Sequence, residues 1–295
     1  MSEFVLSCCT TVDLAKEHLE GRNIHFIPFH FYLDGTHYFD DLGQTISYED
    51  FYKAMEAGVD TKTSQINANE YEEYFKKFLD EGKDILHITL SSGISGSNNS
   101  ANIAKSMLEE EYPDRKIYIV DSLGAASGYG LLMDKVADLR DAGMGIDEIA
   151  AWVEEHKLNV QTWFFSSDLT FFVKGGRVSK AAGLIGGALS ICPVMIVDKE
   201  GKLSVNQKVR TKKKAMKTLV DIMEENAEDG ANYSDKCYIC HSACLDDAQT
   251  FVAMLEERFP NMKEKVLINN IGTTIGSHTG PGTIALFYWG KERVQ

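Results

Sequence analysis

Short apolar runs alternate along this chain with longer stretches whose apolar residues recur every three or four positions. The runs, bounded by glycine, serine or aspartate, read as buried strands, and the periodic stretches as amphipathic helices packed over them. The pattern predicts strands at 4–6, 24–33, 84–90 and 116–120. It predicts helices from Ser47, which stands at capping-box spacing from Asp50, through Met55, and at 69–79, where Tyr71, Phe75 and Phe78 share a face. Further helices start near Ser97, run on to Leu139 after Asp121-Ser122, and cover 147–156. Near Val160 a second unit begins with a glycine-rich stretch at 169–187. A hairpin at 193–197 and 203–207, a helix at 212–225, a strand at 236–240, a helix at 246–258 and strands at 265–268 and 283–289 complete it. This alternation is that of an α/β architecture. A length of 295 residues fits two domains, placed at 1–159 and 160–295.

The loops between these elements carry the candidate chemistry. Ser91-Ser92-Gly93-Ile94-Ser95-Gly96 joins a buried strand to a helix. In that arrangement free backbone N–H groups and the Ser92 and Ser95 hydroxyls can face an anion, although a plain βα turn with a serine cap reads the same way. Thr63-Ser64-Gln65 lies between two predicted helices and by itself reads as a solvated loop. Ile275-Gly276-Ser277-His278-Thr279-Gly280-Pro281-Gly282 reads as a loop that holds one histidine among glycines and hydroxyls. Such a histidine can donate to an anion or exchange a proton near neutrality; the alternative is a surface turn. No Gly-Lys-Ser/Thr phosphate loop and no GxGxxG after the first strand is present, and Ser97 stands where a nucleophile elbow needs glycine.

Composition narrows the classes. A net charge of −14 argues against a nucleic-acid binder and against general adsorption to anionic membranes. No apolar run approaches the ~20 residues of a bilayer span and no secretory pattern opens the chain, so a cytoplasmic location is expected. Six cysteines in a chain able to bury its own core fit a reducing compartment. Cys237-Tyr238-Ile239-Cys240-His241 matches a haem-attachment string, and Cys244 adds a third thiol. On a strand Cys237 and Cys240 point to opposite faces, which favours buried apolar cysteines over a metal site. Lys208, Arg210, Lys212, Lys213, Lys214 and Lys217 form a basic cluster: a solvated face, or a surface for an acidic partner, with Arg210 able to grip a carboxylate or phosphate.

Taken in order, these motifs resemble the DegV family of fatty-acid-binding proteins. Thr63-Ser64-Gln65, Ser91 to Gly96, Asp121-Ser122, Gly175-Gly176-Arg177-Val178-Ser179-Lys180-Ala181, Lys208-Val209-Arg210 and Ile275 to Gly282 span nearly the whole chain. The resemblance implies two α/β domains with a long-chain fatty acid buried at or near their interface. It implies a carboxylate held by Thr63 and Ser95 and by His278; the neighbouring hydroxyls of Ser64 and Ser92 are further candidate donors from the same loops. It implies that Arg177 and Arg210 support the head group or meet a partner. That partner would be a dihydroxyacetone-kinase-like fatty acid kinase, which phosphorylates the carboxylate to an acyl phosphate that feeds phospholipid metabolism. The chain would then be a binding subunit and not itself an enzyme, with no cofactor, no metal, no integral membrane segment and room for transient membrane contact. Two departures stand out: Cys9-Thr10-Thr11-Val12-Asp13 replaces the family's Asp-Ser-x-x-Asp, and Ile66 replaces a proline.

The physics suits a lipid. At about 0.8 kcal/mol per buried methylene, a tail of ~15 carbons offers roughly 10 kcal/mol gross, so hydroxyls and one imidazole suffice to orient the head group. The apolar stretch 181–197 is a candidate tunnel wall or ordinary core. An acyl hydrolase or transferase using Ser95 with His278 as base is the alternative, and a thiol or metal protein built on Cys237, Cys240 and Cys244 a third reading.

Overall fold

The computed structural model describes residues 4–179 and 191–293. Its strands are β1 (Phe4–Cys9), β2 (Ile24–Ile27), β3 (His30–Leu33), β4 (Thr36–Phe39), β5 (Thr61–Ser64), β6 (Asp84–Thr89) and β7 (Ile117–Asp121). After these come β8 (Val160–Ser166), β9 (Ile191–Val197), β10 (Leu203–Arg210), β11 (Cys237–His241), β12 (Val266–Asn270) and β13 (Thr283–Trp289). A four-stranded parallel sheet runs β2-β1-β6-β7. A six-stranded sheet runs β10-β9-β8-β13-β11-β12, antiparallel except for the last pair. A small antiparallel sheet runs β4-β3-β5. The mixed α/β architecture expected from the hydrophobic pattern is present.

Every residue of β6 is buried, as a central parallel strand covered on both faces requires. Helices Ala68–Leu79 and Ser97–Glu111 cover one face of its sheet through Tyr71, Phe75 and Leu108. On the other face the helix Ala126–Asp141 lies between the two larger sheets, and its first eight residues are all buried. Small residues permit that close approach. A Cβ on Gly128 would come within 2.6 Å of the Phe287 ring of β13.

Three expectations are corrected. The single strand at 24–33 is two strands in different sheets, because Pro28 has no N–H to continue the ladder. Thr63-Ser64-Gln65 is no solvated loop: its first two residues end strand β5, paired to β3 with Phe31 opposite Thr63. The segment 275–282 is not a loop throughout, since Thr273–Thr279 forms a helix that ends at Gly280, where φ is 67°. The glycine-rich stretch at 169–187 and the tunnel wall at 181–197 fall partly on residues 180–190, outside the described residues.

A buried ion cluster ties the central helix to its surroundings. Asp134 accepts hydrogen bonds from His18 Nε2 at 2.8 Å and Arg22 Nη1 at 3.1 Å on one oxygen. Its other oxygen accepts from Lys236 Nζ at 3.0 Å and from the Tyr238 hydroxyl at 2.5 Å. Burial alone would raise its pKa, but the His18, Tyr238 and Lys236 contacts prevail and hold the carboxyl well below the usual carboxylate range. A depressed carboxylate stabilises the fold above its unfolded pKa of about 3.9 and ceases to do so as pH falls through the native value. Asp134→Asn is therefore expected to destabilise the protein at pH 7 by about 2–4 kcal/mol. Denaturant melts at pH 7 and pH 3 check this: the gap between wild type and variant narrows on acidification.

Candidate functional site

An internal cavity of about 470 Å³ opens where the carboxyl ends of the parallel strands face the six-stranded sheet. Ligands in open α/β sheets sit outside those strand ends, at the point where strand order reverses, and here the reversal lies between β1 and β6. Phe29 after β2, Leu90, Ile94, Ser95 and Gly96 after β6, and Ala125 and Ala126 after β7 form one wall. The opposite wall is one face of the large sheet, with Thr162 and Phe164 on β8, Cys240 on β11 and Thr283, Ala285 and Phe287 on β13. The volume lies in the range of small-molecule pockets, roughly 300–1,000 Å³, and the lining is mainly apolar.

The polar groups arrive from distant parts of the chain. Thr274, Ile275, His278 and Thr279 line the cavity from the Thr273–Thr279 helix, which packs on β3 and β5. His278 Nε2 and Thr63 Oγ1 share a hydrogen bond of 2.7 Å across 215 residues. The other ring nitrogen, Nδ1, is buried with no partner among the described residues. It packs against Gly175, where a Cβ would lie 2.2 Å from it, so the first glycine of the Gly-Gly-Arg motif makes room for the imidazole. Burial, and then the charge of Arg177, lower the His278 pKa to about 4, so the ring is neutral at pH 7. Arg177 lines the same cavity, half-buried, and donates to the Gly175 carbonyl.

Ser95 also lines the cavity, and its hydroxyl accepts from Ser97 N–H at 3.2 Å at the start of the following helix. Gln65 joins this loop to β5: its Nε2 donates to Ser100 Oγ at 3.0 Å, and its Oε1 sits where a Cβ on Gly96 would be. The hydroxyl partner of His278 is thus Thr63 and not Ser95, which departs from the nucleophile–base pair of the hydrolase alternative.

Not every candidate converges. Ser64 is exposed and absent from the lining, because the residue after Thr63 on a strand points to the opposite face. Ser92 is exposed as well; its N–H donates to Asp121 Oδ1 at 3.1 Å, which turns the start of the loop away from the cavity. Arg210 stands exposed on β10 beyond the lining. Lys208, Lys213, Lys214 and Lys217 are exposed, whereas Lys212 pairs with Asp247 at 2.7 Å. Cys240 faces the cavity and Cys237 does not. Among the described residues no three His, Cys, Asp or Glu side chains are grouped to hold a metal ion. No described helix is long and apolar enough to cross a membrane.

Two functional supports escaped the sequence reading. Asp13 and Asp40 are buried at the start of the His278 helix, where Asp40 Oδ2 accepts Thr274 N–H at 3.2 Å. The Asp13 carboxylate lies against Gly272, whose backbone N–H favours its charged form. Burial raises the pKa of both, and the neighbouring Asp40 raises that of Asp13 further. The altered Cys9-to-Asp13 segment therefore keeps its second aspartate in a structural position. Asp13 was visible as part of that motif, but nothing local pairs it with Asp40 or with residue 272.

Comparisons with known proteins give the family and the fold. A family model described as an uncharacterised protein of the DegV family matches residues 10–291. A DegV domain-containing protein of Clostridium perfringens is 36% identical over 294 residues, covering 99% of each chain. Among solved structures, DegV of Bacillus subtilis, described as a fatty acid binding protein, aligns with a TM-score of 0.83 and 26% identity, covering 99% of this chain and 100% of its own. A DegV-family protein of Ruminococcus gnavus, described with vaccenic acid, aligns with a TM-score of 0.84 and 26% identity over 96% of this chain and 99% of its own. With the family model matched across nearly its whole length and a curated relative above a third identical, this chain belongs to the DegV family.

Proposed function

We propose that this protein binds a long-chain fatty acid with the tail in the cavity and the carboxylate at Thr63, Ser95 and His278, and presents that carboxylate to a separate kinase. The observation that carries the reading is one apolar cavity that meets the Thr63–His278 pair and the half-buried Arg177. Methylene burial supplies the affinity, while the hydroxyls, the imidazole and the arginine offset the desolvation of the head group. The fatty-acid binding of family members is the further support. In this reading the chain divides near residue 160 into units 1–159 and 160–295, with the acid between them.

The kinase step follows from the family resemblance. A dihydroxyacetone-kinase-like partner would transfer the terminal phosphoryl group of ATP to a carboxylate oxygen, leaving ADP and an acyl phosphate. Exposed Arg210, with the exposed lysines around it, suits docking to an acidic partner surface, and Arg177 suits support of the head group.

Mass spectrometry of lipids extracted from purified protein tests binding: a C16–C18 acid is expected, and an empty protein that takes up none on addition refutes the reading. Thr63→Val and His278→Ala are each expected to weaken fatty-acid affinity about 5- to 20-fold in titration calorimetry, the loss of one hydrogen bond in a buried site. Gly175→Ala should weaken it comparably with His278 intact, because the added methyl displaces the ring. With a fatty acid kinase and ATP, Arg210→Ala is expected to lower acyl-phosphate turnover and leave calorimetric affinity unchanged; equal turnover removes Arg210 from docking.

A further inference from the structure

The start of the His278 helix holds two buried carboxyl groups with no cation to balance them. Asp13 is 2% exposed and Asp40 1%. A Cβ on Gly272 would lie 2.6 Å from Asp13 Oδ1 and 3.7 Å from Asp40 Oδ2, so both groups crowd the residue at which the helix begins. Both oxygens of Asp13 and Oδ1 of Asp40 have no hydrogen-bond partner among the described residues. The neighbours do not offset the charge. Tyr48 and Tyr52, from the helix Tyr48–Glu56, and Cys240 on β11 face the pair, and burial keeps all three protonated at pH 7. Glu17 and Asp41 add further negative charge around Tyr48. Lys16 lines a small pocket with Asp13 and the uncharged Asn269 and Asn270 of β12, but its ammonium pairs with Glu20 at 3.8 Å.

Two carboxyl groups crowded into one desolvated space do not both ionise readily. The two are not equivalent here. Asp40 Oδ2 accepts the Thr274 N–H at 3.2 Å. The Thr273 and Thr274 hydroxyls, 2% and 3% exposed, stand beside Asp40 and favour its charge. A helix start favours a negative charge, and Asp40 supplies it. On Asp13 only the Gly272 N–H, short of hydrogen-bond geometry, favours the charged form, against burial and the charge of Asp40. The proton of the pair therefore belongs on Asp13.

We propose that Asp13 and Asp40 hold one proton between them at neutral pH and that this proton locks the start of the His278 helix, so that fatty-acid binding weakens when it leaves in alkaline solution. The coupling to binding rests on the fatty-acid reading given above; the proton itself does not. A second buried charge would repel the first and push the segment from Gly272 away from Asp40. That segment carries the imidazole that Thr63 holds. The sign is opposite to that at Asp134. A carboxyl whose native pKa lies above its unfolded value of about 3.9 keeps a proton that the unfolded chain has released. Stability then falls as pH climbs from the unfolded value toward the native one, and levels off beyond it.

The infrared spectrum of the wild type at pH 7 is expected to show the carbonyl band of a protonated carboxylic acid, and Asp13→Asn is expected to lack it. No such band in the wild type overturns the inference without any variant, and a band that persists in Asp13→Asn overturns it too. In denaturant melts from pH 4 to pH 9, Asp13→Asn is expected to gain stability relative to the wild type as pH rises; a constant gap overturns the inference. Oleate titrations at pH 7 and pH 9.5, on protein freed of bound lipid, read the coupling. The wild type is expected to lose roughly tenfold in affinity relative to Asp13→Asn, and the ratio at each pH cancels titration of the ligand. A constant ratio overturns the coupling. A wild type that binds no oleate at pH 7 overturns the fatty-acid reading, while the infrared band and the melts still decide the proton.

Discussion

The contact on which the site depends is the 2.7 Å hydrogen bond between Thr63 and His278. It joins the small β4-β3-β5 sheet to a seven-residue helix from near the end of the chain. A helix of that length has little stability of its own, so it is held by what it touches. Asp40 accepts the Thr274 N–H in its first turn, Asp13 lies against Gly272 just before it, Tyr52 donates to the Ile271 carbonyl at 2.8 Å, and Gly175 backs the histidine. A cation near a helix carboxyl end is ordinarily favoured, yet His278 stays neutral because burial and the Arg177 charge outweigh that effect. The result is an uncharged hydrogen-bonding group beside a fixed cation at the rim of an apolar space.

The apolar space has its own cause. A parallel sheet leaves its ligand-facing loops at the carboxyl ends of its strands, and these loops here face the flat side of a second sheet. Loops rich in glycine, serine and alanine have little side-chain volume with which to fill the gap. The central helix closes part of it where Gly128 lies on Phe287, and the Asp134 cluster holds that helix against β11 and the first helix of the chain. The remaining volume is walled by Phe164, Phe172, Leu203 and Phe287, which bury apolar surface against whatever chain occupies it.

Much of this was legible in local pattern. Period-two and period-3.6 hydrophobicity located the strand at 84–90, the helix from Ser97 and the final strand at 283–289 within a residue or two. The Ser91-to-Gly96 loop was readable as a strand-to-helix turn with a hydroxyl at Ser95, and the ordered motifs pointed to the DegV family and its α/β fold. Local signals failed where short polar strands take their identity from a partner. β5 has no apolar alternation, and only pairing with β3 makes Thr61–Ser64 a strand. The same pairing decides that Thr63 faces inward and Ser64 outward.

The amino-acid order alone therefore determined the alternation of elements, the chemistry available in each loop and the family. Tertiary structure decided which of those groups meet: that His278 takes Thr63 as its partner and not Ser95, that Ser92 and Ser64 turn to solvent, and that Asp13 and Asp40 share one helix end. The physical reason is range. Helix and strand periodicity arise from neighbours a few residues apart, whereas these contacts depend on sheet register and on packing between segments more than two hundred residues distant, which no local pattern encodes.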